Sequence, residues 1–295
     1  MTPDSSEPTA GKERPWTMPV LSDRDFQQFS ALIYKVCGIK MPPSKKTMLT
    51  SRLNKRLRKL EIDNFTDYLR YLGNPIHQQK EMVELIDVVS TNKTDFFREP
   101  HHFDYLTAEA LPEFAAAWPP LPRRHLRLWS AGCSSGEEPY TLAMVLAEFA
   151  ARHPGLDYSI LATDICTKVL ATASQGVYPE ERIVGIPTSY LPKYFLRGTR
   201  DGQKLHRVGP KLRNKVTFQR LNFMDRDFQL GGAMDIIFCR NVIIYFDLQT
   251  QIALFKKFHR YLAPGGFLFI GHSEMLVGIE DRMTRVASSV YRRID

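Results

Sequence analysis

The chain has 295 residues, of which 43% are hydrophobic and 24% charged, as in ordinary globular proteins of one large or two modest domains. No apolar stretch approaches the ~20 residues of a membrane span, and the polar residues 1–19 predict a disordered tail rather than a signal peptide. Four scattered cysteines without metal-ligand spacing predict reduced thiols, no metal site and a cytoplasmic location. The composition therefore excludes a helical membrane span and a disulfide framework.

Residues 20–90 are predicted to form a small helical domain. The stretch "SDRDFQQFSALIYKVC" begins with a capping Ser22 or Asp23, and its apolar residues share one helical face. "KKTMLTSRLNKRLRKL", "NFTDYLRYL" and "QQKEMVELIDVVST" continue the helical pattern. The net charge of the chain is +8, and residues 35–59 hold nine Lys or Arg and no acid. Such a block favours an anionic partner: nucleic acid, an acidic membrane surface or an acidic protein.

The second predicted helix has a basic stripe beside an apolar one. Its apolar face consists of Leu49, Leu53, Leu57 and Leu60. Four basic residues follow the spacing i, i+3, i+4 and i+7: Arg52, Lys55, Arg56 and Lys59. A basic stripe can be merely a solvated helix face, but this concentration of charge favours a binding face, and we expect the partner to contact it.

From Arg124 onward the pattern alternates between strand and helix. "HLRLWSA", "YSILATD", "MDIIFCRN" and "FLFIGHS" are predicted strands, and a helix is expected from "LQTQIALF" to Gly266. This alternation predicts a doubly wound, mostly parallel sheet in residues 124–295 that binds ligands at the carboxyl ends of its strands. Pro119, Pro120 and Pro122 mark the preceding boundary. Residues 177–217 are predicted to be an insertion with a β-hairpin at Asp201-Gly202.

The predicted strand ends carry acids that identify the class of cofactor. The first strand leads into "AGCSSGEE", with Glu137 and Glu138, and Asp164 ends the second. An acid after the second strand typically accepts hydrogen bonds from ribose hydroxyls. The first turn lacks G-x-G-x-x-G, and its carboxylates would repel a pyrophosphate, so S-adenosylmethionine (SAM) fits better than a dinucleotide. Two plainer interpretations stay open: Glu137 as a solvated first-turn acid, and Asp164 as the cap of the next helix.

Six segments in order resemble the CheR family of chemotaxis receptor methyltransferases, over residues 20–293. They are "VSTNKTDFFREPHHF", "WSAGCSSGEEPYTLAM", "ATDICTKVLATASQGVY", "LNFMD", "FCRNVIIYFD" and "LAPGGFLFIGHSE". The resemblance implies a Rossmann-like SAM-dependent methyltransferase fold with an all-helical N-terminal domain, a cofactor-binding segment in residues 91–123 and an inserted antiparallel β subdomain. It also implies an enzyme that converts receptor glutamates to methyl esters and releases S-adenosylhomocysteine.

The resemblance implies a site, residue by residue. Cofactor contacts are expected at Asn92, Thr94, Arg98, Glu138, Asp164, Asn222, Phe223, Arg240 and Asn241. Arg98 and Tyr245 are the expected active-site pair, with Arg98 positioning the substrate carboxylate. By the same comparison Glu138 binds the cofactor, while Glu137 is the helix-start acid. His101 and His102 are expected to pack at the start of a helix.

The expected partners are acidic methylation helices of methyl-accepting chemotaxis receptors, bound by the basic stripe. A receptor C-terminal peptide could bind the β subdomain, and the protein is expected to be a monomer that binds no nucleic acid. Two alternatives remain: an RNA methyltransferase, suggested by the basic domain, and a relative that binds SAM without catalysis. Against the first, "RNVIIYF" has no proline where enzymes that methylate exocyclic amines often carry Pro-Pro-Tyr, and Cys239 lies inside a predicted strand.

Overall fold

The described chain begins with a bundle of four helices. This computed structural model describes residues 18–117 and 124–295, so most of the predicted tail and the proline boundary lie outside the described residues. The helices are α1 (Asp23–Cys37), α2 (Lys46–Leu60), α3 (Phe65–Gly73) and α4 (Pro75–Val89). Ser22 caps α1 by accepting a hydrogen bond from the backbone N–H of Asp25. The apolar faces of all four helices meet in one core, as the helical periodicity predicted.

A helical connector and an α/β region follow. The connector comprises α5 (His101–Tyr105), a π-helical turn (Leu106–Ala110) and α6 (Leu111–Ala117). The later helices are α7 (Glu137–Arg152), α8 (Thr167–Gln175), α9 (Leu191–Tyr194), α10 (Pro210–Arg213) and α11 (Leu248–Tyr261). The strands are β1 (Arg124–Ala131), β2 (Leu156–Asp164), β3 (Val177–Pro179), β4 (Phe195–Arg200), β5 (Gln203–Val208), β6 (Val216–Arg220), β7 (Met234–Cys239), β8 (Leu262–Ile270), β9 (Met283–Ala287) and β10 (Val290–Arg293). Among the described residues, no helix has the length and apolarity needed to cross a lipid bilayer.

Seven strands form the central sheet in the order β6-β2-β1-β7-β8-β10-β9. The first five are parallel to their neighbours, which confirms the predicted parallel sheet, and β10 pairs antiparallel with both β8 and β9. The sequence had not predicted these last two strands. From β1 the chain builds the sheet first toward β6 and later toward β9. The strand order therefore reverses between β1 and β7, where doubly wound sheets bind their ligands.

Two predicted boundaries differ from the structure. The helix expected to run to Gly266 ends at Tyr261, and residues 262–270 already belong to β8. Residues 216 and 217, assigned to the insertion, start β6 and pair with β2 of the central sheet. The apolar pattern could not separate these elements because each junction passes directly from helix or loop into a strand of similar hydrophobicity.

The insertion contains a second, three-stranded antiparallel sheet in the order β3-β5-β4. Its hairpin pairs Arg200 with Gln203 around Asp201-Gly202, as predicted, and both turn residues have positive φ. β4 forms one edge of this sheet. The antiparallel inserted sheet expected from the sequence is therefore present.

The central sheet is buried on both faces. Along β1, Leu126 and Leu128 face one apolar core, while Trp129 and Ala131 contribute to the core on the other side. This near-continuous apolar run is typical of a strand covered on both faces. The hydrophobic core thus fixes the sheet and leaves the loops at the strand ends free to form a site.

The helical domain contacts the α/β domain at the carboxyl ends of the strands. The Tyr34 hydroxyl donates to Asp247 at 2.6 Å, and the Lys40 backbone N–H donates to the Tyr245 carbonyl at 2.9 Å. In a further contact, Asp87 of α4 accepts from the backbone N–H and the hydroxyl of Thr167, at 2.7 and 2.6 Å. These contacts place the helical bundle across the ligand-binding edge of the sheet.

Candidate functional site

A cleft lies between the helical domain and the ends of β1, β2 and β7, and its space, including the part open to solvent, is about 1030 Å³. The structure brings all the sequence-predicted cofactor and active-site residues to its walls: Asn92, Thr94, Arg98, Glu138, Asp164, Asn222, Phe223, Arg240, Asn241 and Tyr245. The helical domain contributes Cys37, Ile39, Met41, Lys45 and Met48. The walls of the cleft combine apolar and polar side chains, which suits a small ligand that carries both apolar and polar groups.

Glu138 is held at the cleft by the first turn of α7. The turn reaches the helix through Gly136, whose φ of 98° favours glycine. One Glu138 carboxylate oxygen accepts from the Ser130 hydroxyl at 2.6 Å, and the other accepts from the Arg240 Nε at 2.9 Å. The side chain is therefore fixed in a buried position, with acceptor capacity left on both oxygens.

Asp164, at the end of β2, organises the loop that faces it. Its two oxygens accept from the backbone N–H groups of Ser134 and Cys166, at 2.8 and 2.9 Å. Burial raises the pKa of this carboxyl, opposed by those hydrogen bonds. The alternative role of Asp164 as the cap of α8 is wrong, because the backbone N–H of Thr167 donates to Asp87 instead. No pattern in the sequence predicts that a residue of the helical domain caps α8.

The loop between β1 and α7 approaches the opposite wall closely. Gly132 has a φ of 89°, and a Cβ there would lie 2.5 Å from Cγ2 of Val242. Two buried carboxylates, Glu138 and Asp164, lie beside this narrow turn. Their oxygens can accept hydrogen bonds from hydroxyl or ammonium groups and would repel phosphate. The residues present therefore fit S-adenosylmethionine, which carries ribose hydroxyls, an amino group and a sulfonium.

Glu137 is not the solvated helix-start acid that the sequence suggested. Its side chain is fully buried and forms an ion pair with Arg182, while the Ser135 hydroxyl donates to it at 2.7 Å. Arg182 also donates to the carbonyl of Thr94 at 3.1 Å. Sequence analysis missed Arg182 because it lies 45 residues from its partner, inside the insertion.

Arg240 is buried, and its side chain makes several hydrogen bonds to the protein. It donates to Glu138, to the Arg98 carbonyl from both Nη atoms at 2.8 and 2.7 Å, and to Nδ1 of His102 at 3.0 Å. Its guanidinium therefore holds neighbouring parts of the site together. Arg240 also lies on the cleft wall, and its direct contact with the cofactor stays a prediction.

His102 is fully buried, and burial followed by the charge of Arg240 lowers its pKa to about 3. The other titratable groups around His102 are Glu99, with an oxygen 3.4 Å from Nδ1, and the rings of His101 and His272. Because Nδ1 accepts from Arg240, the imidazole is neutral, and its proximity to Glu99 is not an ion pair. His102 lies at the start of α5, as expected, but its hydrogen bond with Arg240 was not predicted.

The buried neutral state of His102 predicts an acid-sensitive fold. Below pH ~6.5 the unfolded chain binds a proton here that the folded protein does not, so stability falls as the pH drops toward 3. The loss approaches ~1.4 kcal/mol per pH unit for this one group. In His102→Asn, which does not titrate, the urea midpoint is expected to fall less between pH 7 and 5 than in the wild type. Parallel midpoints in the two proteins would contradict this prediction.

The two expected active-site residues have free polar groups. Arg98 donates once, to the Lys93 carbonyl at 2.9 Å, and within the described chain its other N–H groups have no protein partner. The Tyr245 hydroxyl likewise has no hydrogen-bond partner among the described residues, while Lys45 lies over its ring at 5.1 Å. Both side chains therefore offer hydrogen bonds to a ligand in the cleft.

Two of the three asparagines in the predicted set, Asn222 and Asn241, partly support the walls of the cleft. Asn222 donates to the Val36 carbonyl at 2.7 Å, which ties the loop after β6 to α1. Asn241 has a φ of 59°, and its backbone N–H donates to Glu274 at 3.0 Å. Glu274 also accepts from the backbone of Gly271 and Ile243, at 2.6 and 2.8 Å. Glu274 is therefore a buried carboxylate that holds the backbone of these loops in place, and sequence analysis did not identify it.

The predicted basic stripe is smaller than expected. Arg56 is buried, with an ion pair to Glu81, and does not belong to an exposed face. Arg52 is half-buried and donates to the carbonyls of Val89 and Ser90 at the end of α4, at 2.6 and 2.9 Å. Only Lys55 and Lys59 of the four are exposed. Arg56 lies three residues after Leu53, so it borders the apolar face and meets α4.

Comparison with known proteins agrees with this geometry. Residues 24–90 match the family described as CheR methyltransferase, all-alpha domain, and residues 92–292 match CheR methyltransferase, SAM binding domain. A chemotaxis protein methyltransferase of Borreliella burgdorferi is 42% identical over 249 residues, 84% of this chain and 86% of the relative. Another, from Escherichia coli, is 40% identical over 271 residues, 92% of this chain and 91% of the relative. These matches confirm the predicted resemblance and the SAM-dependent methyltransferase class, and they do not favour the RNA methyltransferase alternative. The chain belongs to the CheR methyltransferase family.

Proposed function

We propose that the protein transfers the methyl group of SAM to glutamate side chains of methyl-accepting chemotaxis receptors, forming glutamate methyl esters. One observation carries the proposal: buried carboxylates and the unpartnered polar groups of Arg98 and Tyr245 line a single cleft. The carboxylates of Glu138 and Asp164 suit the cofactor, and the groups of Arg98 and Tyr245 suit an incoming carboxylate. The names of the relatives support chemotaxis receptors as the substrate class.

The residues that would hold the cofactor are those with carboxylate and amide groups on the cleft wall. Glu138 and Asp164 offer acceptors for ammonium and hydroxyl groups, and Asn92 and Asn222 border the same space. When bound, SAM supplies a methyl carbon activated by a positively charged sulfur. The apolar side chains of the helical domain close one side of the cleft and exclude water, which would otherwise stabilise the separated charges before transfer.

The chain needs to position the acceptor rather than activate it. A glutamate with a pKa of ~4.3 is already ionised at neutral pH, so no general base is required. Arg98 attracts and orients the carboxylate, but a tight bidentate pair would lower its nucleophilicity. The single retained bond of Arg98 to the Lys93 carbonyl restrains the guanidinium and favours orientation over tight capture.

The reaction class is tested with methyl-labelled SAM and receptor-containing membranes. After transfer, mild base is expected to release the label as volatile methanol, because carboxyl methyl esters are base-labile. Base-stable label on RNA would support an RNA methyltransferase. Intact cofactor binding without transfer to any receptor would support a relative that binds without catalysis.

Arg98→Ala is expected to lower receptor methylation about 10- to 100-fold, the range for losing a charge-assisted hydrogen bond that orients a reactant. Its fold should remain, since the guanidinium makes one hydrogen bond to protein. The matched control is Arg226→Ala, an exposed arginine outside the cleft, which should keep full activity. Initial rates at saturating SAM measure the effect, and wild-type turnover in Arg98→Ala would contradict the assigned role.

Lys55 and Lys59 are the stripe residues left for receptor binding. Reversing both charges, in Lys55→Glu/Lys59→Glu, is expected to raise the KM for receptor about tenfold at low salt and less at high salt. Cofactor affinity should not change. The control Lys211→Glu/Lys256→Glu makes the same charge change at exposed lysines of α10 and α11. Equal increases in KM for both pairs would mean that only net charge matters.

A further inference from the structure

The guanidinium of Arg240 connects the two sides of the proposed site. Its Nε donates to Glu138, on the cofactor side, at 2.9 Å. Both Nη atoms donate to the backbone carbonyl of Arg98, on the acceptor side, at 2.8 and 2.7 Å. The side chain of Arg240 is only 2% exposed. Because the group is planar and rigid, its orientation sets Glu138 and the Arg98 backbone relative to each other.

His102 makes a further side-chain hydrogen bond to this guanidinium. Its Nδ1 lies 3.0 Å from the Arg240 Nη1, and its ring packs edge-on against Phe269 in the apolar core. An N–H of Arg240 requires a lone pair on Nδ1, so the imidazole must be neutral and protonated at Nε2. Glu99 lies farther from Arg240, at 3.9 Å, and its other oxygen accepts from Asn241 at 3.1 Å.

We propose that His102 is a positioning residue for methyl transfer. Its neutral imidazole holds the planar guanidinium of Arg240, and this guanidinium keeps the Glu138 side chain and the Arg98 backbone at a fixed distance and orientation to each other. The expected effect of His102 on the rate of methyl transfer rests on the proposed function. Its expected effect on cofactor affinity does not depend on the identity of the methyl acceptor. Loss of the His102 contact should therefore weaken cofactor binding through Glu138 and slow transfer through Arg98 in the same variant.

The decisive comparison is between His102→Asn and His102→Leu. Asparagine keeps an acceptor in place of Nδ1 but fills less space, and leucine fills the space but accepts no hydrogen bond. We expect His102→Asn to retain both properties within about threefold, and His102→Leu to lose about tenfold or more in S-adenosylhomocysteine affinity and in kcat. If His102 only packed, the order would be reversed, because the smaller side chain leaves the larger cavity.

A double-mutant cycle separates the two routes. In an Arg98→Ala background, His102→Leu should lower kcat by less than about threefold, since Arg98 no longer needs placing, but should still lower cofactor affinity. Calorimetric titration with S-adenosylhomocysteine gives the affinity even if no receptor is methylated, so failure of the proposed function is recognised separately. Equal losses in the two His102 variants, or independent effects in the cycle, would overturn the proposal.

Discussion

Arg56→Met is expected to destabilise the helical domain by about 4–5 kcal/mol, the upper range for breaking a buried ion pair. Arg56 and Glu81 are 7% and 3% exposed, and Nε of Arg56 donates to Glu81 at 2.6 Å. The Tyr68 hydroxyl donates to the same carboxylate at 2.7 Å, and Glu84 lies 3.2 Å from Arg56. Methionine fills similar space but leaves Glu81 charged, buried and without its main partner.

The urea midpoint, followed by far-UV circular dichroism and by hydrogen exchange in α2 and α4, measures this effect. Lys55→Met is the matched control, because the preceding residue of the same helix is exposed, and it should change stability by less than ~0.5 kcal/mol. Arg56→Met/Glu81→Gln removes both charges and should be less destabilised than the sum of the single variants. Full additivity of the two substitutions would mean that the pair is not coupled.

Arg56 also shows what a sequence pattern can and cannot predict. The spacing of the leucines in α2 correctly predicted a helix with one buried face. It could not show that Arg56 meets Glu81, which is 25 residues away on α4. Periodicity locates the buried face of a helix, but the partner of a side chain at the edge of that face depends on tertiary packing.

The parallel sheet followed from the sequence for a similar physical reason. Apolar strands alternating with amphipathic helices allow few arrangements, and the strand ends then bring Glu138 and Asp164 to one edge. Strands β9 and β10 were not predicted because their apolar and polar residues do not alternate regularly: Thr284 and Arg285 are exposed in succession, and Arg292 is half-buried.

The supporting residues of the site were less predictable than its wall. The matched motifs located the cleft residues, but Asp87, Arg182 and Glu274 act on backbone groups or on acids from other elements. The local sequences of Asp87 and Arg182 do not distinguish them from ordinary surface charges. Glu274 ends the segment "LAPGGFLFIGHSE", but the segment alone does not show which groups its carboxylate contacts. Their roles can be identified only in the folded structure, where distant segments meet. For Arg182, we expect the loss of the side chain to have a large effect on stability.

Arg182→Met is expected to destabilise the protein by about 3 kcal/mol, the lower range for a broken buried pair because the Arg182 side chain is 38% exposed. Glu137 would remain fully buried, with the Ser135 hydroxyl as its side-chain hydrogen-bond donor. The control Lys204→Met breaks the exposed pair with Glu180 in the same subdomain, 3.4 Å apart, and should cost less than ~1 kcal/mol. Thermal unfolding of both variants tests this difference.

The same substitution, Arg182→Met, should also weaken cofactor binding. Arg182 joins the inserted subdomain to Glu137 at the start of α7 and to the carbonyl of Thr94, while the Tyr178 hydroxyl donates to the Ser135 carbonyl at 2.7 Å. With this link broken, Glu138 and the 92–98 segment are less restrained, so S-adenosylhomocysteine affinity should fall about tenfold. Arg182→Lys keeps a charge without the planar fork and should lie between the wild type and Arg182→Met. If affinity stays unchanged while stability falls, the ion pair anchors the subdomain without organising the cofactor turn.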